Sequence, residues 1–140
     1  MAGRKAFVDS SAVLRPVLRQ PGAITGWRAW TRIFASELMP VEGQRALDRL
    51  RVMGQITPGE YIELAESFRE AVAAVTQLPL SRAILRRAAG PLSAPLGTLD
   101  AIHLATALQW AEENGETPVL LTHDRQLAIA ARACGLDVHP

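Results

Sequence analysis

Asp9, Glu42, Asp100 and Asp124 are the acidic residues of this 140-residue chain whose surroundings suit chemistry. Asp9 ends the apolar run KAFVD, Asp124 follows the apolar run in VLLTHD, and Glu42 and Asp100 open helical patterns. Each therefore lies at the edge of an expected element, where a fold can gather distant carboxylates. Clustered carboxylates repel one another and are costly unless a cation neutralises them. Mg²⁺ or Mn²⁺ is the natural occupant, because hard cations prefer oxygen ligands and retain water. One or two such ions can activate a water and stabilise the leaving oxygen of a phosphodiester. Hydrolysis of a nucleic-acid backbone is the chemistry this pattern suits.

Each acid also has a plainer reading. Asp100 can offset the positive end of its helix, Asp124 can cap one, and Glu42 can pair with Arg45 or Arg49. The joint pattern favours a site, above all at Asp9 after Phe7 and Val8. Ser10 and Thr122, hydroxyls beside Asp9 and Asp124, are supporting candidates that can orient a carboxylate or a metal-bound water. His103 lies three residues after Asp100, but the apolar LATAL around it favours a hydrogen-bonded core histidine. His123 and His139 lack the paired His or Cys spacing of a zinc site, and His139 is expected on a mobile tail.

The elements that must position these residues read as alternating strands and helices. Lys5–Asp9 predicts a buried strand, followed by a helix over 10–20 capped by Ser10 or Ser11 and stopped by Pro21 and Gly22. ITGWRAWTR predicts a second helix and IFAS another strand. Ser36 is expected to cap ELMPVEGQRALDRLRVM, with Pro40 tolerated in its first turn. Thr57, Pro58 and Glu60 form a strong helix start after Gly54, giving a helical hairpin. An edge-like QLPLS, a helix SRAILRRAA and a loop GPLSAPLG follow. Then come a helix from Thr98 to Gly115 with Thr98 as cap, the central strand PVLLT, a helix DRQLAIAARACG and a last strand LDVHP. This alternation predicts an α/β fold, a parallel sheet with helices on both faces. Ligands of such sheets gather at the carboxyl ends of the strands.

Composition narrows the alternatives. The length fits one domain over residues 1–140 with a sizeable core, hydrophobic residues making up 49% of the chain. No apolar run suits a bilayer, and MAGRKAF leads straight into a strand, so a soluble cytoplasmic protein is expected. Cys134, the single cysteine, forms no internal disulfide and is expected buried and inert. A net charge of +1 argues against indiscriminate coating of nucleic acid. Lys5 is the only lysine, so fourteen of the fifteen basic residues are arginine. Their clusters at helical spacing suit either phosphate recognition or pairing with Glu63, Glu66 and Glu70. Trp27 and Trp30 suit core packing or a partner surface. Ser11 stands where a dehalogenase-like phosphatase would need a second Asp, and no glycine-rich fingerprint follows the first strand.

The motifs FVDSSAVL, ASELMPVEGQRAL, TLDAIHLATAL and LLTHDRQLAIAARACGLDV together resemble the PIN-domain ribonucleases of the VapC toxin type, from one end of the chain to the other. The family's four acids correspond to Asp9, Glu42, Asp100 and Asp124, with Glu37 outside the set. The resemblance implies a three-layer α/β/α domain with a mainly parallel sheet and a helical hairpin. It also implies an endoribonuclease dependent on Mg²⁺, or Mn²⁺, that blocks translation by cutting RNA, pairs with a VapB-like antitoxin and forms a homodimer. On this reading Asp9, Asp100 and Asp124 are metal ligands, directly or through water, and Glu42 binds metal or orients the attacking water. Pro40 before Glu42, and Gly97 at a position often basic, depart from the pattern. The alternative is a PIN-fold binding or regulatory module with weak or no activity.

Overall fold

In the computed structural model, which describes residues 3–140, a five-stranded sheet carries helices on both faces. Its strands are β1 (Lys5–Val8), β2 (Arg32–Ser36), β3 (Thr76–Leu78), β4 (Val119–Leu121) and β5 (Val138–His139). The order is β3-β2-β1-β4-β5, and every pairing is parallel. The chain builds outward from β1 in one direction, then returns to build β4 and β5 on the other side. The switch point therefore falls between β1 and β4, where open parallel sheets form a crevice at their carboxyl edge.

The helices are α1 (Ser10–Val17), α2 (Met39–Val52), α3 (Pro58–Ala73), α4 (Arg82–Ala88), α5 (Thr98–Asn114) and α6 (Arg125–Ala133). Side chains alternate across a strand, and the core divides accordingly. Ala6 and Val8 of β1 join Ala12, Val13, Met39, Leu47 and Phe68 beneath α1 and the α2/α3 hairpin. Phe7 points the other way, into Phe34, Leu104, Leu120, Leu127 and Ala130 beneath α5 and α6. α4 closes over α5 through Ile84, Ile102 and Ala105. This is the three-layer α/β/α arrangement expected of the sequence.

Several expected boundaries move. ITGWRAWTR is not a helix but a single 3₁₀ turn over Trp27–Ala29, entered through Gly26 at φ +73°; both indoles are partly buried against the core. The cap of α1 is Asp9, not Ser10 or Ser11: its side chain accepts from the Ala12 amide. Ser36 ends β2, accepting from the Leu38 amide at 3.2 Å, and α2 starts at Met39 without a side-chain cap. Gly97, not Thr98, precedes α5 as its cap residue. The Thr57 capping box on α3 is present with both of its reciprocal bonds. His139 pairs with Leu121 in β5 instead of trailing as a tail. Cys134 is exposed rather than buried: its spacing continues the Leu127, Ala130 and Ala131 face, but α6 ends at Ala133 and Cys134 stands past it as the cap residue. No helix among the described residues is long and apolar enough to cross a membrane. Residues 1–2, part of the N-terminal reading, lie outside the described residues.

Candidate functional site

Parallel register brings the first pair of site residues together. Val8 aligns with Leu121, so Asp9 and Thr122 leave adjacent strands side by side. Asp9 is 2% exposed, and its carboxylate is fully engaged. Oδ1 accepts from the Ser11 hydroxyl at 2.7 Å and the Ala12 amide at 3.1 Å, and Oδ2 from the Thr122 hydroxyl at 2.7 Å. Burial pushes the Asp9 pKa up, against the lowering effect of those three donors. Thr122 also accepts from the Asp124 amide at 3.0 Å, tying the turn after β4 to Asp9. Asp124 caps α6, its Oδ1 accepting from the Leu127 amide at 2.8 Å.

Glu42 enters from the first turn of α2. Pro40 sits in that same turn, where a missing amide proton costs nothing, and the Glu42 amide still reaches the Leu38 carbonyl at 2.9 Å. The Glu42 side chain turns away from Arg45, which pairs with Asp48 at 3.0 Å. Instead its Oε1 accepts from the Ser10 hydroxyl, and its Oε2 lies 3.3 Å from His103 Nε2. Burial would raise its pKa, but the bonds from His103 and Ser10 outweigh it and hold Glu42 below the ordinary carboxylate range. His103 is thus both a fully buried core residue and a partner of the site.

Asp100 lies in the first turn of α5 and accepts no side-chain or backbone hydrogen bond among the described residues. Its pKa is pushed up to about 6, first by burial and then by the charges of Asp124, Asp9 and Glu42. Asp124, Asp9 and Glu42 therefore all sit within electrostatic reach of Asp100. As they stand, no group of three or more His, Cys, Asp and Glu side chains among the described residues is gathered tightly enough to hold a metal ion. The donor set still fits a hard cation: it is all carboxylate oxygen, and Asp100 carries like-charge repulsion that a cation relieves.

Sequence reasoning missed Ser11 as a site residue. Its hydroxyl donates to Asp9 and accepts from the His123 amide at 3.0 Å, joining α1 to the turn after β4. Only its place two residues beyond a strand-end acid hinted at this. Glu37 stands apart, accepting from the Leu80 amide at 2.8 Å and so fastening β2 to the segment after β3. Arg45 and Arg51 pair with Asp48 and Arg87 with Glu112; among the described residues no arginine pairs with Glu63, Glu66 or Glu70. Gly97 is exposed, with open space where a side chain would stand.

Comparison with known proteins agrees with this three-layer α/β/α fold. The model of the PIN domain matches residues 6–133, and the chain belongs to the PIN-domain family. Across 136 residues it is 32% identical to Ribonuclease VapC46 of Mycobacterium tuberculosis (strain ATCC 25618 / H37Rv), with 94% of each chain covered. Its fold is similar to the crystal structure of PAE2754 from Pyrobaculum aerophilum, with a TM-score of 0.63 and 21% identity over 96% of this chain and 83% of that one.

Proposed function

We propose that this chain is a metal-dependent endoribonuclease toxin of the VapC type, a single PIN domain that hydrolyses RNA phosphodiester bonds and thereby inhibits translation. The observation that carries the reading is Asp100, a carboxylate without a hydrogen-bond donor, crowded by three other acids and pushed up to about 6. A divalent cation supplies the charge that this arrangement lacks. Similarity to a protein named as a VapC ribonuclease supports the same chemistry.

Asp9, Asp100 and Asp124 would hold Mg²⁺, or Mn²⁺, and the ion when bound supplies an activated water and charge stabilisation for the leaving oxygen. The remaining work belongs to the chain. Ser11, Thr122 and the Ala12 amide fix Asp9 in one rotamer, so it needs no reorganisation when an ion or substrate arrives. Glu42, kept ionised by its two donors, retains lone pairs that can accept a proton or a hydrogen bond from the attacking water. A VapB-like antitoxin, an RNA substrate and a second copy of the chain are the partners this reading implies, with action in the cytoplasm.

Purified Asp9→Asn and Asp100→Asn proteins are expected to lose cleavage of total RNA while keeping the circular dichroism of the parent. Full cleavage by both variants overturns the assignment. Sequencing the 5′ ends of RNA fragments after induced expression names the target. Calorimetric Mg²⁺ binding without cleavage of any RNA, with the antitoxin removed, would favour the binding module instead.

A further inference from the structure

Glu42 is gripped from two helices other than its own. Ser10, the first residue of α1, donates to Oε1, and His103 of α5 lies 3.3 Å from Oε2 through Nε2. The His103 side chain is completely buried, and among the described residues no group hydrogen-bonds its Nδ1. Nε2 faces a carboxylate oxygen, which only accepts, so Nε2 must carry a proton.

We infer that His103 is a positioning residue for Glu42: through its Nε2–H it clamps Oε2 while Ser10 clamps Oε1, so Glu42 presents its remaining lone pairs towards the other acids in one orientation. Held from α1 and α5, Glu42 orients the attacking water from a fixed position. His103 touches neither substrate nor ion and works only through Glu42. The catalytic consequence rests on the ribonuclease reading; the Nε2–H donor and the clamp do not.

The test has two arms. In ¹⁵N-labelled protein, long-range ¹H–¹⁵N correlation spectra of His103 at neutral pH are expected to show a protonated Nε2. An Nε2 without a proton overturns the proposal whether or not the protein cleaves RNA. In the kinetic arm, His103→Leu keeps an apolar side chain in the core but removes the donor, and is expected to lower kcat about tenfold with KM unchanged. His103→Gln, whose amide reaches a similar place with an N–H, is expected to restore most of that loss. In a Glu42→Gln background, His103→Leu should cost nothing further, because one pathway cannot be broken twice. Equal kcat for His103→Leu and wild type, or a loss that multiplies with that of Glu42→Gln, refutes the clamp. Should His103→Leu fail to fold, the spectra and the His103→Gln kinetics still decide. If wild-type protein cuts no RNA, the ribonuclease reading fails on its own while the spectra still judge His103.

Discussion

Asp100→Asn should make the apo-protein more stable, by an amount that depends on pH. The Asp100 pKa stands at about 6 in the folded chain against an ordinary 3.8, so the native state holds this proton more tightly than the unfolded state does. Stability from this group is therefore greatest at low pH and is lost as pH rises from about 4 through about 6. At about 1.4 kcal/mol per tenfold change in proton affinity, the full penalty above that window is about 3 kcal/mol. Asp100 is only half-buried, and solvent screening reduces the figure to about 1–1.5 kcal/mol. Asparagine keeps the shape and discards the charge. In EDTA at pH 7.5 the variant should unfold at a Tm about 4 °C higher than the parent, with the gain shrinking towards zero near pH 4. Saturating Mg²⁺ should raise the Tm of the parent and close most of the gap, since binding to the native state alone stabilises it. A variant equal to or less stable than the parent in EDTA at pH 7.5, or a gain that is the same at both pH values, refutes the electrostatic reasoning.

Three further outcomes are expected. Gly43→Ala places a methyl into the fully buried Phe68 ring; overpacking outweighs the gain in helix propensity, and urea unfolding should show a loss of about 2 kcal/mol. Thr57→Ala dismantles the capping box of α3 and should cost about 1 kcal/mol in the same assay, without affecting cleavage. Ser11→Ala strands the His123 amide and removes one donor from Asp9; it should cost about 1–2 kcal/mol and weaken Mg²⁺ binding measured by calorimetry.

The sheet was legible because β1, β2 and β4 are short apolar runs bounded by turn signals, and buried parallel strands read that way. Helix starts were less legible. Ser10 and Asp9 both qualify as caps by type, and only the extended backbone of Asp9, at φ −94° and ψ 179°, decides between them. The tryptophan pair at three-residue spacing imitated a helix face, yet Gly26 in the left-handed region and the pull of both indoles onto the core produce one turn. At the site, the four acids could be proposed from their positions at element edges. Their partners could not: the Glu42–His103 contact spans 61 residues and depends on how α2 and α5 are set against the sheet. No local pattern encodes that placement.

Plain helix capping and the gathering of the four acids, set against each other in the sequence, are one arrangement in the fold. Asp9 and Asp124 are the cap residues of α1 and α6, and Glu42 and Asp100 lie in the first turns of α2 and α5. Four helix amino ends thus face the carboxyl edge of the sheet, and their partial positive charges offset part of the acids' repulsion. The remaining repulsion is shared unevenly. Asp9 has three donors and Glu42 two, Asp124 has the Leu127 amide, and Asp100 has none. Burial first, and then the charges of Asp124, Asp9 and Glu42, raise the proton affinity of Asp100 with no donor among the described residues to oppose them, while the bonds from His103 and Ser10 bring that of Glu42 down. A fold that spends its donors on three acids and leaves the fourth bare places the largest gain from a cation at that fourth acid.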